Sequence, residues 1–440
     1  MKAVLLVAGE GKRFYPLSYN KSKHMIPVAG RPLLEHSILE LKDAGITDIL
    51  LVVGYKKDVL KEYFQDGAKW SVKIDYVDQD FSKGKGTAIA AGLARTFVGK
   101  DPFFLIYGDL QYDSMTIKEI IKEFNKQDVD AILTLLEVED PSMYGVVELD
   151  KNNFATRIVE KPKPGQSPSK LTNAGIYIFK PIIFDAIDRT GLSPRGEYEL
   201  TDSIQILIND KKKVKGFDIK DSWWRDIGRA FDLLDANAHY FTKIKKMVKG
   251  TVESNVTIKG EVYIGENTLV RSGTYIEGPV YIGDGCEIGP NAYLRPNTFI
   301  SDRCRVGNAC EVKASIIMAG TKISHLSYVG DSVIGENVNF GAATIAANLR
   351  LDHKDVSFKE NGLLISTGLR KLGVICGDNV NVGCNTNLEP GVRIGANSII
   401  GPNVTVSDDI EPNTLVYIKW SEMKDLYVKR KIEPEKKDGN

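Results

Sequence analysis

The first residues with chemical promise stand near the N-terminus, where Val4-Leu5-Leu6-Val7-Ala8-Gly9-Glu10-Gly11-Lys12-Arg13 carries an apolar run into a Gly-x-Gly turn ending in arginine. Such a turn lets backbone N–H groups and a guanidinium approach a phosphate, so the chemistry it suits is the handling of an anion. It has neither the G-x-G-x-x-G spacing of a dinucleotide loop nor the G-K-[ST] of a P-loop, and neither label applies. A second candidate is His325, one of five histidines, set in Lys322-Ile323-Ser324-His325-Leu326-Ser327-Tyr328-Val329-Gly330. An imidazole titrates near neutrality and can take up or release a proton in the working pH range. The five cysteines, Cys286, Cys304, Cys310, Cys376 and Cys384, form no C-x-x-C pair. They predict neither a zinc site nor a disulfide framework, and are expected as small packing residues.

The elements that must position these groups fall into two textures. From Met1 to about Lys249 short apolar runs (Ala3–Ala8, Ile49–Val53, Phe103–Tyr107, Ala131–Leu136, Ile176–Phe179) alternate with segments such as Pro32–Ala44 and Ser114–Asn125, whose apolar residues recur every three to four positions. Strands alternating with amphipathic helices make an α/β fold with a mainly parallel sheet. Ligands of such sheets sit beyond the carboxyl ends of the strands, which points to Gly9–Arg13 and to Gly108–Asp109. After Gly250 every sixth residue is aliphatic: Val252, Ile258, Ile264, Val270, Ile276, Ile282, Ile288, Leu294, Ile300, Val306, Val312. The series slips, resumes at Ile323 and Val329, is interrupted by the charged stretch Arg350–Lys371, and returns at Cys376, Val382, Leu388, Ile394, Ile400 and Val406. No helix has that period. Hexapeptide repetition implies a parallel β-helix with aliphatic residues pointing inward and Gly, Asn or Asp turning the corners.

The organisation expected is a first domain over 1–229, a helical linker over 230–250, a β-helix over 251–420 and a tail over 421–440 too charged to bury much, its end Glu433–Asn440 expected to be disordered. The 440 residues are 42% hydrophobic and 26% charged, with 58 Lys plus Arg against 58 Asp plus Glu. That balance gives no global field to attract nucleic acid or an anionic membrane. No apolar run approaches the roughly 18 residues that span a bilayer, and Met1 leads into the first strand without a basic n-region or cleavage site. A cytoplasmic protein with neither nucleic acid nor membrane as partner is expected.

Across the first half the sequence resembles the sugar-1-phosphate nucleotidylyltransferases. The stretches that carry the resemblance are Leu6–Arg13, Lys23-His24-Met25-Ile26-Pro27-Val28, Gln79 with Gly84–Ala88, Gly108-Asp109, Tyr144-Gly145, Val159-Glu160-Lys161-Pro162, Asn173-Ala174-Gly175 and Trp224-Arg225-Asp226-Ile227-Gly228. The resemblance implies a Rossmann-like nucleotidyltransferase domain in which Arg13 and Lys23 neutralise a triphosphate and Asp109 and Asp226 hold Mg²⁺. It further implies that Ala8, Gly9, Gly11, Gln79, Gly86 and Thr87 line the nucleotide pocket. Gly145, Glu160 and Asn173 would hold the sugar, and Lys161 its phosphate. The nucleotide would be UTP or dTTP. A sugar phosphate oxygen attacking an α-phosphorus needs fixed cations rather than a general base, because it is already ionised. Val7 and Lys12 depart from the family, which often has Ala or Gly and Thr or Ser there.

The second half resembles the acetyltransferase half of the bifunctional enzymes that acetylate glucosamine-1-phosphate and then uridylylate it, with archaeal members closer through Ile345-Ala346-Ala347-Asn348-Leu349-Arg350. The resemblance implies a left-handed β-helix, a homotrimer and acetyl-CoA as co-substrate. Arg295 and Lys313 would bind the acceptor's phosphate, His325 would be general base for its 2-amino group, Tyr328 and Asn339 would orient it, and Asn348 would help place acceptor or acetyl-CoA. Leu349 stands where the bacterial pattern has an aromatic residue, and the charged stretch 350–371 also differs. Two other readings compete: a glucose-1-phosphate thymidylyltransferase with a purely structural β-helix, and a non-catalytic subunit like those of translation initiation factor 2B. The four residues Arg13, Lys23, Asp109 and Asp226 together weigh against the latter.

Overall fold

The computed structural model describes residues 1–163, 165–360 and 362–419; the tail expected at 421–440 lies outside them. The first half folds on a nine-stranded sheet. From edge to edge its strands run Ala155–Glu160, Gly145–Leu149, Leu171–Phe179, Phe103–Tyr107, Lys2–Val7, Asp48–Val53 and Lys73–Asp78; Ala131–Glu137 also pairs with Leu171–Phe179 and carries Val214–Asp218 at its outer side. The four strands from Phe103–Tyr107 to Lys73–Asp78 are parallel. Leu171–Phe179 enters antiparallel beside Phe103–Tyr107. The strands at the centre are buried on both faces, as their unbroken apolar runs require. Helices Leu33–Asp43 and Ser114–Lys126 take the positions their periodicity marks, each with its apolar stripe buried.

The second half is a prism with three faces, each a parallel sheet, of eight, nine and eight strands among the described residues. Val262, Val280 and Thr298 stack in one column, so an ordinary rung takes eighteen residues. The hexad aliphatics from Ile264 onward fill its interior. Corners are turned by left-handed asparagines, among them Asn337, Asn379, Asn397 and Asn413. Their side chains form a ladder: Asn379 donates to Asn397, and Asn397 to Asn413, each at 3.0 Å. The slip after Val312 is a shortened rung, with Phe299 stacked on Ile316 and Arg305 on Lys322. The charged interruption leaves the coil as an excursion. Val333 stacks directly on Ile375, and within the excursion Ser357–Glu360 pairs antiparallel with Leu363–Ser366.

Helix Asp232–Phe241 lies between the halves, and strand Met247–Val248 already pairs with Val262–Ile264 as the start of the prism. One apolar core joins the domains, built from Phe14, Ile26, Leu233 and Tyr240 on one side and Phe299, Ile316, Met318 and Ile375 on the other. Lys21 adds ion pairs to Glu336 at 2.7 Å and Asp378 at 3.0 Å. Cys286, Cys304, Cys310 and Cys376 are buried and free, as expected. Cys384 is exposed, which corrects the expectation for it. Cys286, Cys304 and Cys310 precede an inward aliphatic by two positions and Cys376 is itself an inward residue, whereas Cys384 follows Val382 by two and faces out. Among the described residues no helix is long and apolar enough to cross a membrane.

Candidate active sites

The carboxyl ends of the parallel strands deliver the first site. Strand Lys2–Val7 runs into Ala8–Gly11, where Gly11 adopts φ +66, and the Lys23 side chain lies across that turn. Strand Lys73–Asp78 delivers Gln79, which is buried, and Phe103–Tyr107 delivers Gly108 and Asp109. Asp226 is distant in sequence, but a short ladder brings it in. Trp224–Asp226 pairs antiparallel with Leu110–Tyr112, setting Asp226 opposite Leu110, and Ile227 N–H donates to the Asp109 carbonyl at 3.0 Å. Trp224 clamps that strand by donating its indole N–H to the Ala174 carbonyl at 2.9 Å.

Two adjoining cavities result. One, of about 450 Å³, is lined by all six residues expected at the nucleotide, Ala8, Gly9, Gly11, Gln79, Gly86 and Thr87, together with Lys23 and Asp109. The other, of about 500 Å³, is lined by Gly145, Glu160, Lys161 and Asn173 together with Arg13, Asp109 and Asp226. Thr87, Tyr107, Asp109 and Glu197 belong to both. Lys23 Nζ is bonded to the Asp109 carboxylate. Burial works against the Asp109 charge, but the Lys23 ammonium holds its carboxyl below the usual range. Asp226 goes the other way: burial, and then the Asp109 charge, push it up to about 6. Arg13 and Asp226 flank Gly228, whose absent Cβ would stand 3.6 Å from Arg13 Nη1 and 3.7 Å from both Asp226 oxygens. The site therefore presents two crowded carboxylates beneath two cations.

In the second cavity Glu160 is held by Thr201 Oγ1, which donates at 3.2 Å, and by Arg195 Nη1 at 3.3 Å. Arg195 also reaches Glu199 at 3.0 Å. Asn173 accepts from Gly175 N–H at 3.2 Å and donates to the Tyr177 hydroxyl, so part of its hydrogen-bonding capacity is already committed. Arg195, Glu199 and Thr201 escape a reading of the sequence. Their only signal is the polar-rich run Arg195–Asp202 across the start of helix Leu200–Asn209, which resembles an ordinary helix start.

On one face of the prism, residues flanking inward aliphatics point outward from successive rungs. Arg295 pairs with Glu311 at 2.8 Å, and Lys313 pairs with Asp331 at 2.9 Å. Asn348 Nδ2 donates to the Tyr328 hydroxyl at 3.0 Å and to Asp331. Gly330 leaves the room they need, since a Cβ there would lie 2.4 Å from the Tyr328 oxygen. Arg295, Lys313, Tyr328 and Asn348 are thus brought together, with Glu311 and Asp331 as partners the sequence reading missed. His325 and Asn339 are not part of that network. His325 ends strand Lys322–His325 on the adjacent face, is exposed, and its ring makes no hydrogen bond among the described residues. Asn339 is exposed too and stacks on Lys322.

Comparison with known proteins covers both halves. The nucleotidyl transferase family model matches residues 2–243, a GMPPB C-terminal domain model matches 276–383, and a bacterial transferase hexapeptide (six repeats) model matches 373–408. A Methanococcus maripaludis (strain C7) protein named bifunctional protein GlmU is 46% identical over 419 residues, 95% of this chain and 98% of its own length. A Sulfurisphaera tokodaii protein named bifunctional sugar-1-phosphate nucleotidylyltransferase/acetyltransferase is 43% identical, covering 93% of this chain and 98% of its own. Among solved structures, a UDP-glucose pyrophosphorylase complexed with UDP-glucose matches with TM-score 0.50 at 26% identity, over 55% of this chain and 98% of that one.

Proposed function

The chain belongs to the family of bifunctional sugar-1-phosphate nucleotidylyltransferase/acetyltransferases, and we propose that the two reactions are divided between its two sites. It is a bifunctional transferase; a lone thymidylyltransferase with an inert β-helix and a non-catalytic assembly subunit are both disfavoured by relatives of nearly equal length named for two activities. In the first domain a pyrimidine nucleoside triphosphate, UTP or dTTP, occupies the cavity of Gln79, Gly86 and Thr87, and a sugar-1-phosphate occupies the adjoining one. The observation that carries this reading is the meeting of the two cavities at Asp109, beneath Lys23 and Arg13.

The sugar phosphate oxygen attacks the α-phosphorus, the bond to the β-phosphate breaks, and pyrophosphate leaves. No proton moves, so the work of the protein is alignment and charge. Lys23 and Arg13 offset the repulsion between two anions, Lys161 draws the sugar phosphate inward, and Glu160, braced by Arg195 and Thr201, fixes the sugar. Asp109 and Asp226 fit Mg²⁺: they are hard oxygen donors set side by side, and the charge of one already disfavours ionisation of the other. An ion held there by two carboxylates would complete its shell with phosphate oxygens and water. When bound, that ion supplies positive charge at the reacting phosphates.

In the second domain the 2-amino group of glucosamine-1-phosphate attacks the acetyl-CoA carbonyl, the C–S bond breaks and coenzyme A leaves as thiol. His325 takes the proton of the amine, while Arg295 and Lys313 hold the phosphate. Because His325 and Asn339 stand exposed outside the Arg295–Asn348 network, we place the complete acyl site at a contact between copies in a homotrimer.

The test is to follow pyrophosphate release and coenzyme A thiol release in the wild type and in His325→Ala. Both products are expected from the wild type and only pyrophosphate from the variant. Thiol release undiminished in His325→Ala would remove the histidine from its role. Absence of thiol with every amino sugar phosphate tried would leave the β-helix without this reaction.

A further inference from the structure

The charged excursion 350–371 packs against both halves: on the β-helix side Lys359 pairs with Asp408 at 3.2 Å and the Arg393 guanidinium lies 4.7 Å over the Phe358 ring. It leaves the coil directly after Asn348, where Leu349 bridges Lys371 and Leu372 N–H donates to the Asn348 carbonyl at 3.0 Å. Its Val356 is buried in the core shared by the two domains. From there the hairpin Ser357–Glu360 and Leu363–Ser366 lies against the first domain. Glu360 pairs with Arg229 at 3.2 Å, and the Phe358 ring meets Phe231 at 6.0 Å between centroids. Arg229 and Phe231 both line the sugar-side cavity, and so do Ser366 and Thr367. Among the described residues these two are the only ones lining that cavity that come from beyond helix Asp232–Phe241.

The two hydroxyls differ in what they have left to offer. Thr367 Oγ1 donates to the Val356 carbonyl at 2.7 Å and accepts from Leu369 N–H at 3.1 Å, so it stiffens the turn. Ser366 Oγ only accepts, from Gly368 N–H at 3.3 Å. It is exposed at the cavity, and its proton has no acceptor among the described residues. A hydroxyl with a spare proton suits the ring hydroxyls or an amide carbonyl of a sugar. We propose that the β-helix hairpin forms the outer wall of the nucleotidyl site and that Ser366 is a specificity-determining residue for the sugar-1-phosphate, so that the first reaction selects its sugar partly through the second domain. This rests on the reading that the cavity of Gly145, Glu160 and Asn173 holds the sugar.

The test compares wild type, Ser366→Ala and Ser366→Trp as full-length protein, measuring KM for N-acetylglucosamine-1-phosphate and for UTP, with kcat, and thiol release as a control for the second domain. Ser366→Ala removes one hydrogen bond and should raise the sugar KM about three- to tenfold. Ser366→Trp narrows the cavity and should raise it more. UTP KM and thiol release should stay within twofold in both. Sugar KM unchanged in both variants overturns the proposal, as does a rise in UTP KM or a fall in thiol release of the same size as the sugar effect. If the wild type itself releases no pyrophosphate with any sugar-1-phosphate, the assignment of the site fails first, which is a distinguishable result.

Discussion

Gly86→Ala gives the sharpest test of how the first site is built. Gly86 caps helix Thr87–Gly92 at φ +125 and ψ +163, a region open essentially to glycine alone. Adding a Cβ places it 2.2 Å from the Tyr198 carbonyl oxygen and 2.5 Å from Tyr198 N. Both obstacles are backbone, so no rotamer change relieves them. The backbone strain costs about 1–3 kcal/mol and the overpacking about as much again, or roughly 2–6 kcal/mol together. At about 2–4 °C per kcal/mol for a domain of this size, the first domain should melt roughly 5–20 °C lower. Relief must also spoil the site. Moving the turn displaces Thr87, which lines both cavities and accepts from Leu200 N–H at 2.9 Å. Moving the Tyr198 segment instead displaces Glu197, which lines both cavities, and Glu199, which lines the second. Both KM values for pyrophosphate release should therefore rise at least about tenfold, while thiol release persists. Calorimetry and steady-state kinetics on the full chain decide it. A variant with both KM values within twofold and an unchanged first transition would refute the close approach of Gly86 to Tyr198.

Three other perturbations bear on the same picture. Asp109→Asn should lower pyrophosphate release at least about a hundredfold and leave thiol release intact; loss of both would mean the two sites are not independent. Asp331→Ala strips Lys313 of its carboxylate and Asn348 of an acceptor, with both members of the ion pair largely covered. It should cost about 2 kcal/mol by chemical denaturation and raise the acetyl acceptor's KM, whereas equal stability would show the pair to be solvated. His36 is held neutral, its pKa lowered by burial to about 3, with Nε2 against the Val28 carbonyl at 3.0 Å and its ring stacked on Tyr240. The unfolded ring takes a proton as pH falls through about 6.5, so this group loses about 1.4 kcal/mol of stability between pH 7.5 and 5.5. Asp232, raised by burial to about 7, gains stability over the same interval and masks the effect in the wild type. The difference between wild type and His36→Gln in urea unfolding isolates it: the deficit of the variant should shrink by about 1.4 kcal/mol at the lower pH, and a constant deficit would refute it.

What could be read from the residues alone follows the range of the signal. Strand Phe103–Tyr107 and the inward hexad from Ile264 are marked by local periodicity, and the structure places both as the pattern requires. Gly9–Arg13 and Asp109 were locatable because a parallel sheet exposes its ligands at strand ends. Pairing across the chain was not legible. Only the ladder Trp224–Asp226 against Leu110–Tyr112 explains why Asp226 meets Asp109. Asp331 and Glu311 look like solvated charges until the rung spacing sets them beside Lys313 and Arg295. The stretch 350–371 reads as a break in a repeat, and nothing in its composition tells which way the break projects.

That projection follows from how the halves are joined. A β-helix cannot bend at a rung without breaking its ladders, so an excursion from one coil leaves in a fixed direction. The first domain is fixed to the same prism by a continuous apolar core, by the Lys21 ion pairs, and by Asn413, which donates to the Tyr19 hydroxyl at 3.3 Å at the end of the asparagine ladder. An interface with Phe14, Ile26, Phe299 and Ile375 buried together is unlike the polar contacts that let domains swing freely. Separating the halves would expose that core and withdraw Ser366 and Thr367 from the cavity of Glu160 and Asn173 at once. The chain is therefore better understood as one rigid support for two sites than as two enzymes on a tether, and a chain shortened to end near residue 243 should suffer in its sugar KM before its nucleotide KM.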